Sequence, residues 1–330
     1  MTLKDIGEFG LIDLIGQHQV PKHGRLVRGI GDDCAVVDGG EAAMLLTVDT
    51  MVEGVHFDLA RTSPEGLGCK LLAVNLSDVA AMGGEPKEAL LAVSAPPDFD
   101  ATLLDRMVGG LQASGSRYGV QLAGGDTTSI DGPLVLSLTL TGICPLDEVV
   151  YRSGASDGEA VYVTGSLGES AAGLAIAAGR DALGRDTAEQ LVRRHLRPEP
   201  RLVTGRRLAQ EGVATAMIDV SDGLGADLGH IASLSGVDIV LKPDLLPVSD
   251  ALRDYCDTVG ADPLTFVLSG GEDYELAFTS QERDLSSDWE KECRLTYIGE
   301  VVCGSGKVRI GAEEVLHTVS KQGFDHFVTR

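Results

Sequence analysis

Aromatic side chains are scarce in this chain of 330 residues: they make up 4% of the sequence and include a single tryptophan. The hydrophobic fraction is nevertheless 43%, so the core has to be built mainly from Leu, Val, Ile and Ala. No apolar run approaches the roughly 20 residues that span a bilayer. The N-terminus also lacks the basic and then apolar pattern of a signal peptide. We therefore expect a cytoplasmic protein that has no membrane partner.

Basic residues are in short supply as well. The chain has 27 Lys and Arg against 50 Asp and Glu, which leaves a net charge of −23. This balance argues against a nucleic-acid partner, because phosphate contacts need a basic surface. Two explanations remain for the acidic excess: anionic ligands that arrive together with cations, or a host whose proteins are generally acidic.

Several common structural and catalytic patterns are missing. The six cysteines contain no C-x-x-C pair, which argues against a zinc site or a disulfide framework and favours reduced thiols. GSGKV at 304–308 lacks the spacing and the Ser or Thr of a P-loop. The H-R-D…N and D-F-G set of protein kinases is absent, as is H-E-x-x-H. These absences exclude the commonest phosphate-loop, protein-kinase and zinc-protease arrangements.

The length of the chain suggests two domains. A polar, turn-rich stretch at 145–158 is typical of a junction. We therefore predict an N-terminal domain at 1–148 and a C-terminal domain at 149–330.

Local patterns predict a mixture of hairpins and helices. Strand-like segments at 34–38 and 43–49 are joined by two glycines, which predicts a hairpin. Residues 64–82 open with Ser-Pro and predict a helix, whereas FVLSGGEDYELAFT at 266–279 predicts strand, turn and strand. Because strict βαβ alternation is absent, we expect the α+β class rather than a doubly wound sheet.

Acidic residues beside glycine recur along the chain, several of them after an apolar run. A single one is usually a turn residue, and an Asp or Ser before a helix is an ordinary N-cap. Several such sites together favour Mg²⁺, which prefers carboxylate oxygens and bridges to phosphates. Clustered acids would repel one another unless cations lay between them. The acids concerned are Asp32, Asp33, Asp49, Asp78, Asp126, Asp219, Asp222, Glu272, Asp273 and Glu275.

Two segments resemble each other, one in each half. VNLSDVAAMGG (74–84) and IDVSDGLGADLG (218–229) both carry Ser-Asp, which we expect at the mouth of a helix, although chance similarity is the alternative. In the second segment we expect Asp227, deeper in the helix, to be a surface acid. Paired glycines beside the acids, at 124–125 and 270–271, would let backbone approach a phosphate closely; each pair alone is equally typical of a tight turn.

Three further side chains are candidates for ligand contacts, and each has a plain structural alternative. His56 either contacts substrate near the metals or is held by packing. Arg152, at the expected domain junction, either binds phosphate through its guanidinium or lies on the surface. Phe324 either stacks on a flat ligand ring or packs the C-terminal tail, and the sequence alone favours packing.

An ordered series of motifs resembles the thiamine-monophosphate kinase family. The motifs are GEFGLI, GIGDDCAVV, VDTMVEGVHF, NLSDVAAMGGEP, LAGGDTT, YRSGA, DVSDGLGADL, SGGEDYEL and GFDHF, and they extend from about Gly7 to Phe327. The superfamily also includes aminoimidazole-ribonucleotide synthetase, selenophosphate synthetase and a hydrogenase-maturation protein. The resemblance implies two α+β domains, the second an α/β sandwich. The domain at 1–148 would bind metal and ATP and dimerise, and the domain at 149–330 would complete the nucleotide and substrate site. The resemblance also implies a homodimer whose N-terminal domains share a β-barrel.

The resemblance further implies a reaction and its site. ATP would phosphorylate thiamine monophosphate to thiamine diphosphate by direct in-line transfer, assisted by several Mg²⁺ ions and without a general base or covalent nucleophile. The implied nucleotide contacts are Gly125, Asp126, Arg152 and Ser221, and the implied substrate contacts are His56, Glu272 and Phe324. The implied metal ligands are Asp33, Thr47, Val48, Asp49, Asp78, Asp126, Asp219 and Asp222. Val48 stands where relatives often carry Thr, so it could serve only through its backbone carbonyl.

Two rival functions stay open at this point. One is another ATP-dependent synthetase of the same superfamily, similar to aminoimidazole-ribonucleotide synthetase. The other is an acidic binding protein without catalytic activity, whose carboxylates only bind cations.

Overall fold

The computed structural model describes residues 2–18, 24–179, 184–285, 289, 293–312, 315–319 and 327. Within these residues the strands form two sheets, one in each half of the chain. None of the described helices combines the length and the apolar character needed to cross a membrane. The architecture is therefore a mixed α and β arrangement around two separate sheets.

The first sheet has the strand order β1-β2-β3-β6-β4-β5. The predicted hairpin is confirmed, because β2 and β3 pair in antiparallel register, with Ala35 opposite Leu46 and Asp38 opposite Ala43. Strands β4 and β5 pair in parallel and are joined by a helical crossover. The strands are β1 Leu26–Arg28, β2 Ala35–Asp38, β3 Ala43–Val52, β4 Glu85–Ala95, β5 Gln121–Ser129 and β6 Val135–Cys144.

Three helices accompany this sheet: α1 Leu3–Gly16, α2 Pro64–Ala81 and α3 Ala101–Tyr118. Ser63 caps α2 by accepting a hydrogen bond from the Gly66 N–H at 3.1 Å, as the Ser-Pro pattern predicts. Helices α2 and α3 pack closely, since a Cβ on Gly68 would lie 1.9 Å from the Met107 carbonyl oxygen. Most of α2 is buried, so few of its side chains reach solvent.

The second sheet has the order β13-β12-β9-β11-β7-β10-β8. Its strands are β7 Ala160–Thr164, β8 Ala216–Asp219, β9 Val237–Leu241, β10 Leu276–Ser280, β11 Leu295–Cys303, β12 Val308–Ala312 and β13 Val315–Thr318. The helices of this half are α4 Glu169–Ala177, α5 Arg185–Leu196, α6 Leu202–Gln210, α7 Leu224–Ser235, α8 Asp250–Val259 and α9 Pro263–Ser269, with a 3₁₀ turn at Pro243–Leu245. The division at 148/149 stays a prediction.

The end of α2 joins the two halves. Ala80 and Ala81 belong to a buried cluster that also contains Leu208, Leu276 and Phe278 from the second half. The contact with α6 is close, because a Cβ on Gly205 would lie 2.2 Å from the Ala80 carbonyl oxygen. This packing brings the last turn of α2 to the end of β8.

Two local predictions are wrong. Residues 266–269 end helix α9 and do not form a strand. Asp262 caps that helix at the Leu264 N–H and Pro263 occupies its first turn, so the capping signal outweighs the strand-like composition. Ser77 and Asp78 lie in the last turn of α2 and not at a helix mouth, whereas Ser221 and Asp222 do precede α7. The two Ser-Asp pairs therefore have different local structures.

Candidate active site

Three acids from distant parts of the chain meet where the halves join. Asp33 precedes β2, Asp78 lies in the last turn of α2, and Asp219 ends β8. Each offers a carboxylate oxygen, and these oxygens all lie within 4.8 Å of one another. We call these three residues the carboxylate cluster.

Burial and mutual repulsion dominate the electrostatics of the carboxylate cluster. Burial raises the pKa of Asp219 to about 8, with a further contribution from the charge of Asp33. Burial and the neighbouring carboxylates Asp49 and Asp219 also raise the pKa of Asp78 well above its usual value. Asp49, on β3, has its pKa raised to about 6 by burial. Three acids in this state, Asp49, Asp78 and Asp219, favour protons or cations over free negative charge.

A few polar groups hold these carboxylates in place. The Thr47 hydroxyl donates a hydrogen bond to Asp78, and the Ser77 hydroxyl donates to Asp219 Oδ2 at 2.6 Å. Arg152 Nη2 lies 2.6 Å from Asp33 Oδ1. The surroundings therefore orient the carboxylates but supply only limited positive charge.

The residues fit a divalent metal. Asp33 Oδ2 and Asp49 Oδ2 are buried and receive no hydrogen bond from any residue that the structure describes. Buried carboxylate oxygens without donors are costly unless a cation binds them. All-oxygen donor sets suit Mg²⁺ in particular. The donor chemistry is that of a magnesium site.

A cavity of about 580 Å³ opens beside these acids. It is lined by residues from both halves of the chain. The predicted site residues among its lining are Val48, Asp49, His56, Ser221, Asp222 and Glu272. The cavity is therefore large enough for a small-molecule ligand and adjoins the carboxylate cluster.

Asp227 organises the loop that carries Ser221 and Asp222. Its Oδ2 accepts hydrogen bonds from the backbone N–H groups of Ser221, Asp222 and Gly223 at 3.1–3.2 Å. The expectation of a surface acid was wrong, since Asp227 is 2% exposed. A buried carboxylate that gathers three N–H groups fixes the turn between β8 and α7.

The segment after α9 directs Glu272 into the cavity. Glu272 adopts a left-handed φ of 65°, which is unusual for a residue other than glycine. Its N–H donates to the Ser221 carbonyl at 2.7 Å, and the Tyr274 N–H donates to the Val220 carbonyl at 2.9 Å. Such strain persists where the surroundings fix the backbone. The orientation of Glu272 is therefore set by the loop that follows β8.

Glu272 has two side-chain partners that the sequence analysis missed. Lys70 Nζ lies 3.1 Å from Oε1, and His195 Nδ1 lies 3.2 Å from Oε2. Burial alone would raise the pKa of Glu272, but the Lys70 ammonium, with smaller contributions from the nearby imidazoles, outweighs burial and holds it below its usual value. Lys70 gave a signal in the sequence, because a Lys within a mostly apolar helix such as α2 has little surface to reach.

Glu275 anchors a second buried group of charges outside the cavity lining. Its carboxylate accepts hydrogen bonds from Arg201 at 2.5–2.6 Å and from Arg194 at 2.7 Å. The Thr164 hydroxyl donates at 2.6 Å. Arg201 and Arg194 outweigh the effect of burial and lower the pKa of Glu275. This group holds α5 and the start of α6 against the sheet.

Other predicted residues lie away from the carboxylate cluster. Gly125 and Asp126 are exposed on β5, at the edge of the first sheet. Val48 lies on β3 between Thr47 and Asp49 and its side chain is 61% exposed. Phe324 lies outside the described residues. The roles that the resemblance implies for these four residues stay predictions.

Two family models match the chain. One is the AIR synthase related protein, N-terminal domain, at residues 31–144, and the other is its C-terminal domain at residues 156–311. The thiamine-monophosphate kinase of Salmonella typhimurium is 40% identical over 329 residues, which cover 98% of this chain and 99% of that protein. The chain belongs to the thiamine-monophosphate kinase family. The enzyme of Aquifex aeolicus is 37% identical over 99% of this chain.

Solved structures agree with this family assignment. The structure described as AaThiL complexed with AMPPCP and TMP has a TM-score of 0.87 and 36% identity, and covers 99% of each chain. A hydrogenase maturation protein, HypE, in complex with ATP has a TM-score of 0.67 at 17% identity, which shows a shared fold alone. The expected two-domain fold of the aminoimidazole-ribonucleotide synthetase superfamily is thus confirmed for this chain.

Proposed function

We propose that this protein transfers the γ-phosphoryl group of ATP to thiamine monophosphate and releases thiamine diphosphate and ADP. The observation that carries the proposal is the carboxylate cluster beside a cavity lined by both halves, in a chain 40% identical to a thiamine-monophosphate kinase. Two anionic ligands must meet in such a reaction, and charge neutralisation is the main requirement of phosphoryl transfer.

We assign the metal ligands to the buried acids. Asp33, Asp49, Asp78 and Asp219 would hold Mg²⁺, and Thr47 orients Asp78 through its hydroxyl. The family resemblance adds Asp126, Asp222 and the Val48 carbonyl. When bound, Mg²⁺ neutralises phosphate charge and withdraws electron density from the transferring group. The protein contributes a fixed arrangement of oxygens, of which Asp33 Oδ2 and Asp49 Oδ2 are buried.

Ligand contacts are divided between the halves. We assign ATP to Gly125, Asp126, Arg152 and Ser221, and thiamine monophosphate to His56, Glu272 and Phe324. Ser221, His56 and Glu272 line the same cavity, which supports a meeting of the two ligands there.

We infer direct transfer without a phosphoenzyme. His56 Nδ1 accepts a hydrogen bond from the Val52 N–H at 3.0 Å, so the proton of the neutral ring lies on Nε2. A histidine in this state has no free nitrogen lone pair for attack on phosphorus and is suited to donating a hydrogen bond. Radiolabelled phosphate that stays on the protein after incubation with ATP alone would disprove this inference.

The decisive experiment measures ADP release with thiamine monophosphate, with thiamine and without an acceptor. We expect release only when Mg²⁺ and thiamine monophosphate are both present. Release that instead depends on an aminoimidazole precursor would favour a synthetase of the same superfamily. Absence of saturable ATP·Mg²⁺ binding by calorimetry would favour the cation-binding alternative.

A homodimer in the cytoplasm completes the proposal. Strand β5 ends the first sheet with nearly every residue exposed, and Leu90 on neighbouring β4 is 48% exposed. A second copy that extends this edge into a shared barrel would cover those residues. Light scattering at micromolar concentration tests this, and a monomer would disprove it.

A further inference from the structure

Lys70 occupies an unusual place for a lysine. It lies in the middle of α2 and is 1% exposed, so its whole side chain is removed from solvent. Among the described residues, Glu272 is the one carboxylate whose oxygen lies within 4 Å of the Lys70 ammonium. A buried ammonium is costly unless it is paired with an opposite charge. The ion pair with Glu272 therefore accounts for the presence of Lys70.

The pair connects the halves at the cavity. Lys70 comes from the first half, whereas Glu272 and His195 come from the second. The Glu272 side chain is 26% exposed, and both Glu272 and His195 line the cavity, whereas Lys70 does not. Lys70 thus contacts the Glu272 carboxylate from outside the cavity, whereas Glu272 itself is accessible to a ligand in the cavity.

His195 supports the same carboxylate from the other side. Burial and the charge of Lys70 lower the pKa of His195 to about 4, so its ring is neutral at physiological pH. A neutral ring can approach Glu272 Oε2 as an N–H donor, and the Ser170 hydroxyl lies 3.1 Å from the same Nδ1. Each carboxylate oxygen thereby has one protein partner and keeps a lone pair for the cavity.

We propose that Lys70 is a positioning residue for thiamine monophosphate: it fixes the charge and orientation of Glu272, which receives an N–H donor of the substrate. This role rests on the proposed function. The exocyclic amine of the substrate's pyrimidine is a donor of the right class. Because Lys70 acts through Glu272, its removal affects binding of thiamine monophosphate and leaves the ATP contacts alone.

The test compares kinetic constants of K70M with those of the wild type. We expect KM for thiamine monophosphate to rise about tenfold or more, while KM for ATP stays within about twofold. A loss of folded protein would lower the apparent kcat and leave both KM values unchanged. R206M is the matched control, because Arg206 forms a part-buried ion pair with Glu148 and does not line the cavity. Its KM for thiamine monophosphate should stay within about twofold of the wild type.

A double-mutant cycle tests whether Lys70 acts through Glu272. E272Q should raise KM for thiamine monophosphate, and K70M/E272Q should match E272Q within about twofold. The double variant leaves no unpaired buried charge, so it keeps the test valid if K70M alone does not fold.

Three outcomes would overturn the role of Lys70. These are an unchanged KM for thiamine monophosphate in K70M, an unchanged value in E272Q, or a further rise of about tenfold on adding K70M to E272Q. A wild-type protein that releases no ADP with thiamine monophosphate would instead overturn the proposed function, and this role with it.

Discussion

The molecule contains two groups of buried acids with opposite electrostatics. In the carboxylate cluster, burial and like charges raise the pKa of Asp219 to about 8 and that of Asp78 well above its usual value. Glu275 is equally buried, yet Arg201 and Arg194 outweigh burial and lower its pKa. Both groups lie in the second half or at its border, and they differ in how many carboxylates share the neighbouring guanidinium groups: several acids share Arg152, whereas Glu275 has two arginines.

The difference separates a ligand site from a structural ion pair. Glu275 has two arginines and a hydroxyl, so its charge is balanced within the chain. The carboxylate cluster has Arg152 beside Asp33, which leaves an excess of negative charge for a cation from solution. Burial of an acid is therefore a poor indicator of a metal site, whereas a buried carboxylate oxygen with no hydrogen-bond donor among the described residues, as in Asp33 and Asp49, is a better one.

The largest effect is expected for D78N. Asparagine keeps the acceptor for Thr47 but removes one charge from the carboxylate cluster. We expect kcat to fall by about 10³-fold or more, because charge stabilisation in the transition state is lost. Without Mg²⁺ the same change should raise the free energy of unfolding, since repulsion is relieved. ADP release and urea unfolding in EDTA measure the two effects.

D38N is the control for D78N, because Asp38 ends β2 and accepts a hydrogen bond from the Gly40 N–H in a turn. It should change neither activity nor stability appreciably. A D78N protein that keeps full turnover, or that is less stable in EDTA, would contradict the comparison.

E275Q should have the opposite effect to D78N and lower the free energy of unfolding. The change leaves part-buried Arg201 without its carboxylate and leaves part-buried Arg194 with Glu169 alone among the described residues. Breaking a buried pair in this way costs about 3–5 kcal/mol. We expect a corresponding loss in free energy of unfolding by urea denaturation. E65Q, in the exposed pair of Glu65 and Arg106, is the control and should show no measurable change. An E275Q variant as stable as the wild type would remove the distinction between the two groups.

A third prediction concerns His195 and pH. The unfolded chain protonates a histidine near pH 6.5, whereas folded His195 does so only near pH 4. Between these values the unfolded state binds more protons, so the free energy of unfolding falls as the pH drops. Over this pH range the titration of His195 changes the free energy of unfolding by about 3 kcal/mol. In H195Q the free energy of unfolding should fall less steeply between pH 6.5 and pH 4 than in the wild type. The measurement is the wild-type minus variant difference in free energy of unfolding across this pH range. Equal slopes in the two proteins would show that His195 does not titrate as described.

The smallest expected effect is stabilisation by the metal itself. Under the proposed assignment Mg²⁺ binds the folded carboxylate cluster and not the unfolded chain, so at 100 times its Kd it should add about 2.7 kcal/mol to the free energy of unfolding. We expect Tm of EDTA-treated protein to rise by several degrees when Mg²⁺ is restored. The rise should shrink in D78N and persist in E275Q, because only the first variant alters the carboxylate cluster. An equal rise in both would place the metal elsewhere.

Local signals in the sequence predicted much of the fold. The hairpin of β2 and β3 and the capped start of α2 follow from Gly-Gly and Ser-Pro at the right spacing. Strand β13 was not predicted. The prediction of a strand at 266–269 is wrong, because the Asp-Pro cap that starts α9 outweighs the strand-like composition of these apolar residues. The start of a short helix is therefore better predicted from its capping residues than from its composition.

The site was only partly predictable for a different reason. The acids of the carboxylate cluster could be proposed because they recur beside glycine and because the motifs resemble a family. Asp227 was misjudged, since its three backbone hydrogen bonds depend on how the loop folds back on α7. The partners of Glu272 come from α2 and α5, which approach each other only in three dimensions. Sequence spacing carries no information on such contacts.

Beside the apolar cluster at the end of α2, several polar contacts between the two halves involve residues of the site. Ser77 binds Asp219, Lys70 binds Glu272, and Arg152 binds Asp33. The halves are therefore poorly interchangeable between relatives, although each has its own sheet. A chimera of residues 1–148 with the second half of another family member should dock correctly only where that half supplies carboxylates equivalent to Asp219 and Glu272. Because of these contacts, we expect the two halves to be inherited together in this family.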